Sequence, residues 1–150
     1  MHASLIEGGQ EYSSYPARCV LQAERRTIPG ETVAVVEREL RELVDDAGAG
    51  DDDFSAEVRA LASREPFEVA ESEAIVQMVR RHATSVLGAE PEIVGVPFWA
   101  DSALLAGAGI PTVLFGPSGE GAHAEVEWVG IADLERCVEI YVSVAAELCA

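Results

Sequence analysis

The chain has 150 residues, of which 49% are hydrophobic, enough for a packed core and too many for a disordered polymer. It carries 27 acidic and 10 basic residues, a net charge of −17, and every basic residue is Arg. A surface this acidic repels phosphate backbones and anionic lipid, so nucleic acid and membrane surfaces are not expected partners.

The N-terminus, Met1-His2-Ala3-Ser4-Leu5, lacks the basic-then-apolar order of a signal peptide. No apolar run reaches the roughly 18–20 residues of a membrane span, so the expected location is the cytoplasm. Leu5 to Pro16 is turn-rich. From Ala17 the pattern alternates, with Cys19, Leu21 and Ala23 on one side and Val20, Gln22 and Glu24 on the other, as in a half-exposed strand. Pro29-Gly30-Glu31 breaks it and opens a helix to about Ala47, with Pro29 near the first turn. Val33, Val36, Leu40, Leu43, Val44 and Ala47 form the apolar stripe of that helix. Two short strands are predicted near Phe54–Leu61 and Pro66–Ala70, so the first 70 residues read β-α-β-β.

The character changes near Glu71. Ser72 is a candidate N-cap for a helix to Leu87, with Ile75, Val76, Val79, Ala83 and Val86 on its apolar face and a stop at Gly88. A strand at Ile93–Phe98, a short helix at Ser102–Ala108 and a buried strand at Pro111–Phe115 follow. A last helix runs from about Ala132 to Leu148, with Leu134, Val138, Tyr141, Ala145 and Leu148 as its stripe. This alternation predicts a parallel sheet with packed helices, and ligands in such sheets bind beyond the C-terminal strand ends.

Three cysteines, Cys19, Cys137 and Cys149, with no C-x-x-C, suggest neither a disulfide framework nor a structural zinc cluster. Cys19 and Cys137 fall on apolar faces and read as core residues. The loop Gly116-Pro117-Ser118-Gly119-Glu120-Gly121-Ala122-His123 lies at a strand end. There His123 reads either as a metal ligand or as a hydrogen-bonded loop residue. Asp101, Glu125 and Glu127 could orient its imidazole from behind, while Asp101 reads equally as a helix cap. Arg25 and Arg26 read as carboxylate binders or as a solvated strand end. His2 and His82 are not spaced with His123 as a ligand set, and there is no H-E-x-x-H, G-x-S-x-G or phosphate loop.

Val96-Pro97-Phe98-Trp99-Ala100-Asp101, then Ala108 to Pro117, then Gly121-Ala122-His123 with Glu127, resembles the C-terminal end of the zinc-dependent aminoacylase and exopeptidase family. That family includes acetylornithine deacetylase, succinyl-diaminopimelate desuccinylase and carboxypeptidase G. Ile6-Glu7-Gly8-Gly9, Tyr15-Pro16 and Glu24-Arg25-Arg26 with Pro29-Gly30-Glu31 resemble the second half of its lid, or dimerisation, domain. The resemblance implies an α/β chain in two parts. Residues 1–70 would be a partial ferredoxin-like lid, and residues 71–150 the C-terminal part of the mixed-sheet catalytic domain of a zinc peptidase.

By the same resemblance, two zinc ions (with cobalt or manganese able to occupy similar ligands) activate a water that attacks an amide carbonyl, and a glutamate takes the proton. His123 matches a zinc ligand. Arg26 matches the lid arginine that contacts the substrate carboxylate, and Ser13 stands where many members have an asparagine. Gly116, Pro117, Ser118 and Gly119 match the backbone lining the substrate pocket, and Asp101 and Glu127 match acidic positions near the site. The remaining ligands and the base glutamate belong upstream of the lid, in sequence that these 150 residues do not include. The expectation is a C-terminal portion of a deacylase or exopeptidase for N-acyl amino acids or small peptides, inactive alone. It would form a homodimer through the lid or associate with an N-terminal half. The alternative is a non-catalytic oligomerisation module derived from the same family.

Overall fold

The computed structural model describes residues Met1–Ala150 as a mixed α/β chain in two compact units, Met1–Pro66 and Phe67–Ala150.

In the first unit, strand β1 (His2–Gly8) pairs antiparallel with β2 (Cys19–Glu24), from His2 opposite Glu24 to Gly8 opposite Cys19. The register shifts between Ala3 and Leu5. The strand read from Ala17 onward therefore forms, but its alternation is not one of burial: only Val20, on the side opposite Cys19, Leu21 and Ala23, is half-buried. The segment read as turn-rich contributes the end of its partner strand, Leu5–Gly8, before the turn begins. Neither face of the hairpin reaches a core: β1 is exposed throughout, and Cys19, expected inside, is exposed.

Helix α1 (Val33–Ala47) starts where Thr32, in extended conformation, accepts the Val35 amide on its hydroxyl at 3.4 Å. Glu31 lies one residue before the cap. Its carboxyl takes the Ile28 amide and the Arg25 guanidinium, which hold it below the usual glutamate range. The stripe of α1 is only partly covered. Val36, Leu40 and Val44 are half-buried and Leu43 is exposed.

The strands expected at Phe54–Leu61 and Pro66–Ala70 do not form, and the unit reads β-β-α rather than β-α-β-β. A strand exists only through a ladder, and the alternating Phe54, Ala56 and Val58 find none. The Ala60 amide is instead taken by the Glu37 carboxylate of α1 at 3.0 Å.

The second unit holds every buried residue of the chain. Helix α2 (Ala74–Leu87) packs on α4 (Ile131–Leu148). Val76, Val79 and Ala83 from α2 meet Cys137 and Ile140 from α4 in a small apolar seam. The stripe of α2 is as its periodicity predicts. Its C-terminus is closed by left-handed Gly88 (φ 75°), whose N–H donates to the Thr84 carbonyl at 2.9 Å. The N-cap position belongs to Glu73 rather than Ser72 and carries no side-chain hydrogen bond.

Helix α4 turns a different face inward from the one expected. Cys137 is buried, as read from the sequence, and Ile140 with it, while Leu134, Val138, Tyr141 and Leu148 of the expected stripe are exposed. The helix is apolar around much of its circumference, so its own sequence did not specify the seam. Outside the seam, Glu147 of α4 takes Arg81 and His82 of α2, with His82 Nε2 2.8 Å from its carboxylate.

Between these helices lie α3 (Ser102–Gly107) and a minimal antiparallel pair, β3 (Gly119–Glu120) with β4 (Trp128–Val129). The expected strands at Ile93–Phe98 and Pro111–Phe115 have no ladder partner, and no parallel sheet forms. Leu114 is 42% exposed, so this segment is not a buried strand. Such a run acquires strand character only when neighbouring strands take up its backbone groups. No helix of the chain is long and apolar enough to cross a membrane.

Candidate functional site

The loop read as chemically important becomes the connection of a hairpin. β3 and β4 are joined by residues 121–127, and His123 sits in this loop, exposed, with its backbone left-handed at φ 65°. A non-glycine residue in that conformation carries local strain of about 1–2 kcal/mol. The glycines around it divide by role. A Cβ on Gly121 (φ 77°) would run into the carbonyl oxygen of Val126, and one on Gly119 into that of Trp128. Both positions are fixed by the tight hairpin. A Cβ on Gly116 would meet nothing, so packing within the chain does not require glycine there.

The stretch before the hairpin is tied to α4. Tyr141 donates its hydroxyl to the Phe115 carbonyl at 2.8 Å, and the two rings meet edge-on with centroids 6.0 Å apart. Ser118 donates its hydroxyl to the Asp133 carboxylate, whose other oxygen receives Arg136 Nη1 at 3.0 Å. The Ser118 hydroxyl, and then the Arg136 guanidinium, hold the Asp133 carboxyl below the usual aspartate range. Burial pushes the Tyr141 phenol up, with a smaller contribution from Cys137. Gly116, Pro117, Ser118 and Gly119 are all exposed.

Asp133, Arg136 and Tyr141 were not among the expected site residues. Tyr141 had been read only as part of an apolar stripe. The one local signal was an acid in the first turn of a helix three residues before an arginine, a pattern that usually means only a stabilised helix start.

The remaining candidates stand apart. Asp101 occupies the N-cap position of α3 without a side-chain capping bond; its backbone carbonyl accepts the Leu104 and Leu105 amides. Glu127 is exposed just before β4. In the first unit, Arg26 is exposed and paired with Glu24. Its neighbour Arg25 is held by Glu31 and Glu39, with the Glu39 bond first in raising its pKa above the ordinary arginine value. Arg25 is thus structural, and Arg26 is the arginine left at the surface. Ser13 is exposed in the β1–β2 connection.

No three His, Cys, Asp or Glu side chains converge in a group that could hold a metal ion. A catalytic zinc takes three protein ligands and keeps a further position open. His123, Asp101 and Glu127 do not make such a set, so the side chains of this chain do not by themselves fit a metal centre.

A model of the peptidase family M20/M25/M40 matches residues 4–147. The chain belongs to the peptidase family M20/M25/M40. No curated protein and no solved structure matches it. The match spans both compact units, so the β1–β2 hairpin with α1 and the α2–α4 unit are both M20-family sequence. Membership makes the chain part of a family of metal-dependent hydrolases that act on peptides or acylated amino acids. Within this M20-family chain no group of three His, Cys, Asp or Glu side chains forms.

Proposed function

We propose that this chain is the part of a zinc-dependent amide hydrolase, of the deacylase or exopeptidase kind, that carries one metal ligand and part of the substrate pocket. The substrates are N-acyl amino acids or small peptides with a free carboxylate. In this reading residues 1–70 are lid and residues 71–150 catalytic domain. His123 is the metal ligand, Arg26 receives the substrate carboxylate, Ser13 takes the place of the lid asparagine, and Gly116–Gly119 lines the pocket. Asp101 and Glu127 support the site without binding metal. The observation that carries the reading is the family match over residues 4–147. Exposed His123, held in a strained left-handed turn, supports the choice of ligand.

In this reading, as the family resemblance implies, the other ligands and the base are supplied by further polypeptide. They are supplied either by a complementary N-terminal half or within an assembly that includes a lid-mediated homodimer. The chain alone then hydrolyses nothing.

The test is zinc content and amidase activity on several N-acyl amino acids, for the purified chain alone and mixed with an N-terminal M20-family polypeptide. Metal and activity are expected only in the mixture, and both are lost in His123→Ala. Stoichiometric zinc and turnover by the chain alone would show that the site is complete as it stands. A mixture that binds no metal would point to a non-catalytic interaction module.

A further inference from the structure

Two anchors on one helix bracket the loop assigned to the pocket. Tyr141 and Asp133 stand eight residues apart on α4, about 12 Å along its axis. Tyr141 holds the Phe115 carbonyl, and Asp133 holds the Ser118 hydroxyl. Gly116 and Pro117 therefore run between two fixed points on a packed helix, not as a free loop. Proline limits the backbone between them further.

The Asp133 anchor also sits at the base of the hairpin that presents His123. Ser118 immediately precedes β3, and Gly130 immediately follows β4 and leads into α4. The Gly130 amide donates to the Ser118 carbonyl at 3.4 Å, and the Asp133 amide donates to the Gly130 carbonyl at 3.1 Å. Both legs of the hairpin thus meet at the first turn of α4. The β3–β4 ladder contains only two residue pairs, too little to hold itself closed, so these bonds at its base decide whether it stays formed.

We propose that Asp133 and Tyr141 are positioning residues: they pin the Phe115–Ser118 segment along α4, and Asp133 closes the base of the hairpin that presents His123. The assignment rests on the reading of this loop and His123 as parts of a hydrolase site. It adds the device that sets their relative position. Arg136 supports Asp133 from the other side and keeps its carboxylate turned toward Ser118. An asparagine at position 133 keeps an acceptor for the hydroxyl and loses the charge; an alanine loses both.

The test uses the whole 150-residue chain. Amide exchange at Glu120, Trp128 and Gly130, and the NMR signal of the His123 ring, are compared in the native chain and in Asp133→Ala, Asp133→Asn, Ser118→Ala and Tyr141→Phe. In Asp133→Ala and in Ser118→Ala, exchange at these amides should rise about tenfold, the order expected for losing one charge-assisted bond at an exposed site, and the ring signal should move. Val79 and Ala83 in α2 should keep their protection. Asp133→Asn should recover most of the effect. Tyr141→Phe should loosen Phe115 while leaving the hairpin amides closed.

Unchanged hairpin amides in both Asp133→Ala and Ser118→Ala would overturn the proposal. So would equal loosening at Val79 and Ala83, which would mark Asp133 as a general stabiliser of the helix pair. Zinc added to the native chain mixed with the N-terminal M20-family polypeptide, and read at the His123 ring, reports on the hydrolase reading alone. A silent ring together with a positive Asp133 result removes the metal reading and leaves the clamp.

Discussion

Ile140→Ala tests the packing on which the candidate site stands. Ile140 is the one large side chain with no exposed surface, and its neighbours in the seam are Val76, Val79, Ala83 and Cys137. The substitution removes three carbons, worth about 2.4 kcal/mol at ~0.8 kcal/mol for each buried methylene. The remaining cavity adds to this. However, the seam is a single strip between two helices, so they can close partly over the gap, and the expected total is about 3 kcal/mol, in the lower half of the usual range.

For a unit of roughly eighty residues, total stability of ~0.05–0.15 kcal/mol per residue amounts to about 4–12 kcal/mol, and so small a core places this unit near the bottom. One substitution should remove about half of it or more. Urea unfolding followed by helical circular dichroism, with linear extrapolation, measures the loss. Val138→Ala on the exposed face of α4 is the control and should stay within about 0.5 kcal/mol. A loss below about 1 kcal/mol for Ile140→Ala, or equal losses for the two variants, would show that α2 and α4 are not joined through this seam.

The hairpin makes a paired prediction. Gly121→Ala places a side chain at φ 77° and against the Val126 carbonyl, and should open the hairpin by about 1–3 kcal/mol; His123→Gly relieves the left-handed strain and should tighten it by up to ~1 kcal/mol, both read by amide exchange at Glu120. Equal effects at the two positions would refute the strain at His123. A third prediction concerns acid. Arg81 first, and then His82, hold the Glu147 carboxyl below its ordinary value of 4.5. A depressed folded value means that the unfolded chain binds the proton more readily. The contribution of Glu147 is therefore complete above about pH 4.5 and is lost as pH falls through the folded value. Glu147→Gln should flatten that part of the acid-unfolding profile of the second unit, and an unchanged profile would dismiss the bridge as a source of stability.

The family motifs were legible because they are local strings, from Val96-Pro97-Phe98-Trp99-Ala100-Asp101 to Gly121-Ala122-His123. The loop contacts around them were only partly legible. The sequence singled out the loop Gly116–Gly119 with His123 as candidates, and did not show that Asp133 and Tyr141 bond to Ser118 and Phe115 from 15 and 26 residues away. The spacing along one strand of text carries no sign of such contacts.

By itself the sequence determined the four helices, the Gly88 stop and the strand at Cys19–Glu24. A helix satisfies its backbone with residues four positions away, so its extent is written in a short window. The tertiary structure decided the rest. It gave β2 a partner in β1, left Phe54–Leu61, Ile93–Phe98 and Pro111–Phe115 without one, and set Ile140 beside Cys137, rather than the Leu134–Leu148 stripe, on the inward face of a helix apolar on several sides. A strand borrows its hydrogen bonds from a distant segment, and a buried face is buried only against something; neither partner is contained in the residues that need it.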